Sequence, residues 1–269
     1  MKIDNIDEIE KSKYLDISRF KQKSLDFKPY DEDGSELKMN NEESISLSLM
    51  NSTVGYMSKF LYFTNNGETI DSALMKAFKP AFRGIDIMLI YSNICGEESD
   101  IFRNHIMKDI TGLNPPSLIA ACKLASYDIW LNKKFNTVID HDLDSINLNE
   151  ETLENLRIMI IRSLNFFDKY GPITEYDFTS KTGGMSFLTK DTIWDFNVYK
   201  DDISSKDALQ LLTYYLMVKH SKEVFKDVKK LGFFNPRKGV VYTLKIARIP
   251  KKMINYISKE ILCCYGKRK

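Results

Sequence analysis

The sequence predicts a mixed α/β fold, with a mixed sheet flanked by helices and a helical lobe in front of it. Three observations predict this. Apolar residues recur three and four apart through 44–132. Two segments with strand character, GGMSFLT and TIWDFNVY, meet at a tight Lys190-Asp191 turn. A helix opened by a capping box then leads to a second strand pair, FFNPRKGVVYTLKI. Helices followed by strands and helices in alternation belong to a layered α/β plan.

The elements follow in chain order. Residues 1–43 are polar and mixed in charge, with DEDGSE as an exposed turn, and read as a peripheral arm. Residues 44–148 form the helical lobe through SLMNSTVGYMSKFLYF, TIDSALMKAFKPAF and PPSLIAACKLASYDIWL. Pro115 and Pro116 suit a helix start, where a missing N–H costs nothing. IDHDLDSINLNEE is polar and turn-like. Residues 149–269 form the α/β core. Its first helix, about Glu150 to Lys169, carries Leu153, Leu156, Ile160, Ile161 and Leu164 at helical spacing, and Gly171-Pro172 stops it. ITEYDFTS, GGMSFLT and TIWDFNVY read as three strands. Ser204 through Asp207 opens the helix of ALQLLTYYLMVKH. A further helix spans about Ser221 to Lys230 and stops at Gly232; then come the hairpin turning at Asn235-Pro236 and Gly239, and a last helix in IPKKMINYISKEIL.

Composition narrows the classes. The 269 residues are 43% hydrophobic and 28% charged, the balance of a globular protein with a substantial core, and only 7 Pro and 12 Gly argue against a long flexible linker. No run of about 18 apolar residues occurs, so no membrane partner is expected. The N-terminus lacks the apolar run of a signal peptide. Cys95, Cys122, Cys263 and Cys264 have no disulfide or zinc spacing. They read as reduced thiols in a cytoplasmic protein. His105, His141 and His220 are scattered without a metal-binding pairing. Asp140-His141-Asp142-x-Asp144 lacks the Gly and distal Glu of a calcium loop.

A net charge of +2 conceals an asymmetry. Residues 219–269 carry 15 Lys+Arg against 3 Asp+Glu, and the rest of the chain is net negative. Such a basic region suits phosphate or an acidic partner, or is a solvated helix face with a basic tail. Arg237, Lys238, Lys251 and Lys252 are the candidate nucleic-acid contacts.

On a strand, alternate side chains share a face. Asp195 and Asn197 therefore point one way with Ile193 and Tyr199, and Trp194, Phe196 and Val198 the other. A carboxylate amid apolar neighbours is costly unless paired, metal-bound or exposed. The preceding strand brings Ser186 or Gly184 alongside it. On the next helix Gln210 and Tyr214 stand four apart, one polar stripe.

A strand carrying D-x-(polar) followed by a helix carrying Q-x-x-x-Y resembles the PD-(D/E)XK nucleases of the RecB exonuclease type. The resemblance covers roughly the last 100 residues and implies a restriction-endonuclease-like core. In that family a first strand gives an acid, the next gives (D/E)-x-K, and the helix gives Q-x-x-x-Y. Two carboxylates hold Mg or Mn and the lysine steadies the nucleophile. By this resemblance Asp195 matches the acid of (D/E)-x-K and is the metal ligand, if there is one. Gln210 and Tyr214 match the helix motif. Ser186 stands where the first acid belongs, and Asn197 where the lysine belongs. Glu175 or Asp177 could stand in for the acid, and Lys181, Lys190 or Lys200 for the lysine, although Lys200 falls on the wrong strand parity. The cysteines lack the cluster-binding set of some relatives, so no iron–sulfur cluster is expected.

The resemblance implies a catalytically impaired protein. Its partner would be nucleic acid, DNA favoured, or a nucleic-acid-binding protein, in a setting of bacterial defence or phage counter-defence. An active nuclease with relocated residues, and a protein-interaction module acting through the helical lobe, are the alternatives.

Overall fold

The computed structural model describes residues 17–25, 38–40, 42–91, 97–132, 143, 146–173, 185–219 and 226–258, with backbone alone at 17, 91, 97–99, 130–132, 185, 186, 217 and 218. Five helices occupy the described residues between 47 and 132: α1 (Leu47–Asn65), α2 (Ile70–Ala77), α3 (Lys79–Tyr91), α4 (Glu97–Met107) and α5 (Pro115–Asn132). Ser46 caps α1 by accepting the Leu49 N–H at 3.3 Å, and Thr69 caps α2 in the same way. Inside α1, Thr53 and Ser58 are fully buried, and each hydroxyl donates to the carbonyl four residues back, Leu49 at 2.8 Å and Val54 at 2.5 Å. Gly84 lets α3 lie against α5, since a Cβ there would sit 2.3 Å from the Tyr127 carbonyl oxygen.

Helix α6 (Glu150–Tyr170) starts at Asn149, whose side chain accepts the Thr152 N–H, and ends at Gly171. Beyond it lies a five-stranded sheet of β1 (Lys21–Ser24), β2 (Met185–Thr189), β3 (Thr192–Phe196), β4 (Lys230–Asn235) and β5 (Val240–Lys245), in the order β1-β5-β4-β3-β2. β3 and β4 are parallel, and the other pairs are antiparallel. α7 (Ser205–Val218) lies in the crossover from β3 to β4, and α8 (Lys251–Tyr256) follows a short 3-10 turn over Ile246–Arg248.

Helices cover both faces of the sheet. Phe187, Trp194, Phe196, Phe234 and Val241 join the core of α1, α5 and α6. There the Phe166 ring stacks on Phe234 at 4.2 Å and meets Trp194 edge-on at 4.9 Å. The opposite face, with Leu188, Ile193, Leu231, Phe233, Tyr242 and Leu244, packs on α7 and α8. The mixed sheet flanked by helices is therefore the observed class. No helix among the described residues is long and apolar enough to cross a membrane.

Two local differences from expectation have physical causes. Residues 21–24, within the expected peripheral arm, form edge strand β1, with Lys21 opposite Thr243 and Lys23 opposite Val241. Phe20, 7% exposed, anchors it by packing edge-on to Phe233 at 5.6 Å. The expected helix over about Ser221 to Lys230 gives way, in its described part, to a turn, and Lys230 opens β4. The Asp191 carbonyl accepts the N–H of Lys229 at 2.7 Å and of Lys230 at 3.0 Å, clamping this turn to the β2–β3 turn. ITEYDFTS, from Thr174 onward, and the Asp140–Asp142 stretch lie outside the described residues.

Candidate functional site on strand β3 and helix α7

β3 divides its side chains as period two requires. Trp194 and Phe196 enter the α6 core, while Ile193 enters the α7 core and the half-buried Asp195 shares its side. The β2–β3 register pairs Ser186 with Asp195 and Leu188 with Ile193, so positions 186 and 195 belong to the α7 face. Asn197 follows β3 directly, and its N–H extends the pairing to the Phe234 carbonyl at 3.0 Å.

Tyr199 links this strand end to α7. Partial burial raises its phenol above the ordinary value; a hydrogen bond with the Asn197 side chain acts downward, and the charges of Asp195 and Asp207 add to the rise. Asp207 is fixed by the capping box: its carboxylate accepts the Ser204 N–H at 2.8 Å and the Ser204 hydroxyl at 2.7 Å, while Ser204 accepts the Asp207 N–H. One turn on, the Gln210 amide donates to the Tyr214 hydroxyl at 2.6 Å. Both side chains are half-buried beside the Ala208, Leu211, Leu212 and Tyr215 stripe that seats α7 on the sheet.

Glu175, Asp177, Lys181 and Gly184 lie outside the described residues. Lys190 is exposed in the β2–β3 turn, at the far end of β3 from Asn197. Lys200 is directed elsewhere, its ammonium 3.8 Å from Glu43. Among the described residues no three His, Cys, Asp or Glu side chains cluster. Among the described residues Asp195, with an amide and a serine position, supplies one carboxylate, whereas a two-carboxylate Mg or Mn site needs several hard anionic oxygens.

The basic candidates separate. Arg237 is a correction: it is 9% exposed, with its guanidinium 2.5 Å from buried Glu43 and donating to the Val198 carbonyl at 2.8 Å. A fork committed to a carboxylate and a carbonyl inside the protein is not offered to a phosphate. Glu43 also accepts from Asn155 of α6 at 3.1 Å, and Asn155 bonds both backbone groups of Asn40, at 2.8 and 2.9 Å. The network ties the segment before α1 to α6 and to the β4–β5 hairpin. Lys238 pairs with Asp202 at 2.7 Å, and the Tyr242 hydroxyl donates to the same oxygen at 2.9 Å. Lys251 and Lys252 are exposed on the first turn of α8.

Sequence reasoning missed Glu43, Tyr199, Asp202 and Asp207 as parts of this region. Asp207 was visible as a cap, and Tyr199 by strand parity. Glu43 and Asp202 meet their partners only through the tertiary fold and leave no local signal. No family model, curated protein or solved structure matches the chain.

Proposed function

We propose that this chain is a nucleic-acid-associated protein on a PD-(D/E)XK-like core with a helical N-terminal lobe, impaired in phosphodiester cleavage and acting by binding. DNA is the favoured partner, directly or through a nucleic-acid-binding protein. One observation carries the reading: Ser186 stands opposite Asp195 on the sheet face covered by the helix of the bonded Gln210–Tyr214 pair. This supports a nuclease-like site of this type, read with a hydroxyl in place of its first carboxylate and Asn197 in place of its lysine. Each lost preorganised charge is worth about 10²–10³ in rate.

The test restores what is missing. Ser186→Asp with Asn197→Lys is assayed on linear DNA with Mg or Mn beside the parent. The expected result is gain of cleavage in the double variant, abolished by adding Asp195→Ala, over a parent that cleaves at least about 10²-fold more slowly. A parent whose Mn-dependent cleavage disappears with Asp195→Ala would instead be an active nuclease. A parent that neither cleaves DNA nor binds it across a salt series sinks the nucleic-acid reading.

A further inference from the structure

The end of the sheet opposite Asp195 is a cationic rim. The ladder aligns Thr189, Thr192, Lys230 and Lys245 in one row across four strands. The β2–β3 turn adds Lys190, the approach to β4 adds Lys226 and Lys229, and the 3-10 turn after β5 adds Arg248. The start of β1 adds Arg19 and Lys21, because β1 runs antiparallel to β5 and begins where β5 ends. Eight cations thus meet Asp191 and Asp227 among the described residues of these strand ends and turns. Asp191 is taken by Lys230 at 2.9 Å. Arg19, Lys21, Lys190, Lys229, Lys245 and Arg248 are exposed and make no ion pair with a described residue.

A groove of about 470 Å³ opens on this rim, lined by Ser18, Arg19, Phe20, Lys21 and Arg248. The Arg19 guanidinium donates to the Arg248 carbonyl at 3.3 Å, holding the two arginines together. Arginine suits phosphate oxygens because its donors form a rigid fork. Neighbouring strands lie about 4.8 Å apart, so five strands set the row at about 19 Å. One nucleic-acid strand presents a phosphate about every 3.4 Å of helix axis, so the row faces about six of them.

We infer that this rim, and not the β4–β5 hairpin, is where the protein grips the phosphate backbone of nucleic acid. This rests on the nucleic-acid reading above and gives it a surface. A linear row fits a linear polyanion. A membrane surface would also call for exposed apolar side chains to insert, and none of the exposed large ones among the described residues (Leu47, Ile70, Met75, Ile90, Ile101, Tyr199, Tyr256) lies on these turns and strand ends.

The test uses the full chain and a fluorescent 20-mer, single-stranded and duplex, titrated by anisotropy over a salt series. The variant Lys21→Glu/Lys229→Glu/Lys245→Glu is compared with a control, Arg83→Glu/Lys108→Glu, which reverses exposed charges on and beside the N-terminal helices. Thermal melts check that both fold. The rim variant is expected to bind at least tenfold more weakly, with the log–log salt slope for duplex shallower by about 2.7 for three lost contacts. The control is expected to match the parent. Undiminished affinity and slope in a folded rim variant overturn the rim while leaving the nucleic-acid reading standing. A parent that binds no oligonucleotide overturns both, and one that binds only vesicles containing phosphatidylserine assigns the rim to membranes instead.

Discussion

Arg237 decides between a basic hairpin that touches phosphate and one that holds the protein together. Its side chain and that of Glu43 are 8% and 7% exposed, so neither charge reaches bulk water. Arg237→Ala leaves Glu43 buried with Asn155 as a donor and with Lys200 at 3.8 Å, and deprives the Val198 carbonyl of a partner. Removing one partner of a buried pair costs about 3–5 kcal/mol. Arg237→Lys keeps the charge but loses the fork, and about 1–3 kcal/mol is expected, set by an unmet buried acceptor. Urea unfolding followed by tryptophan fluorescence reads this directly, because Trp194 is buried in the neighbouring strand. The double replacement Glu43→Gln/Arg237→Met is expected to be less destabilised than Arg237→Ala, because no charge is left buried alone. An Arg237→Ala protein within about 0.5 kcal/mol of the parent, but weakened in nucleic-acid binding, would refute the structural assignment and restore the phosphate contact.

Other outcomes follow from the packing and the charges. Gly232→Ala would place a Cβ 2.3 Å from Cε3 of Trp194, a ring held by Phe166 and by donation from its own indole N–H to Thr189 at 2.8 Å. A loss of about 1–3 kcal/mol is expected in urea unfolding, and a Trp194→Leu background should relieve part of it; a neutral Gly232→Ala would overturn this packing. The Asp202 carboxyl is held below its ordinary 3.8, first by its hydrogen bond with Lys238 and then by Tyr242. Its contribution to stability is therefore present above pH 3.8 and lost as pH falls through the lower folded value. Carboxyl NMR titration should show Asp202 depressed, and Lys238→Met should move it upward. Burial pushes the Cys122 thiol up to about 12, against a smaller downward effect of its hydrogen bond with Thr53. Mass mapping after iodoacetamide at about pH 8 should find Cys122 unmodified in native protein and labelled in denaturant; native labelling would contradict the burial.

What the sequence made legible was local. The capping box of Ser204 and Asp207, the stop at Gly171 and the hairpin at Gly239, whose φ of +63° suits glycine, are short-range signals, and each is found. The two faces of β3 follow from period two, because Trp194 and Phe196 bury on one side and Ile193 on the other. β1 carried no such signal: KQKS is exposed at every residue and has no apolar alternation, and it is placed by Phe20 and by pairing with β5. Arg237 looked like a surface cation because nothing near it in sequence foretold Glu43. The helix expected over about Ser221 to Lys230 reached into Lys230, where β4 begins, because only the long-range clamp to Asp191 and the pairing with β3 put this stretch into a turn and strand.

The charge at the two ends of the sheet bears on how a protein of this proposed type would act. Asp195, Asp207 and the exposed Asp201 and Asp202 gather at the Asn197 end, where Lys238 is spent on Asp202 and Lys200 and Arg237 turn to Glu43. A phosphate approaching that end meets four carboxylates against one exposed lysine without a described ion-pair partner, Lys206 on the first turn of α7, and repulsion grows as water is excluded. In a nuclease of this kind a metal and a lysine reverse that sign; on the proposed reading Asn197 takes the place of that lysine. Six cations without a described ion-pair partner, Arg19, Lys21, Lys190, Lys229, Lys245 and Arg248, sit at the other end, on turns and strand ends that place no demand on the α7 face. Loss of cleavage and retention of binding then need not compete for the same residues. Ser186→Asp/Asn197→Lys should alter cleavage while leaving the salt slope of binding unchanged, and the rim substitutions should do the reverse. A binding slope that followed the Ser186 and Asn197 substitutions would merge the two sites into one.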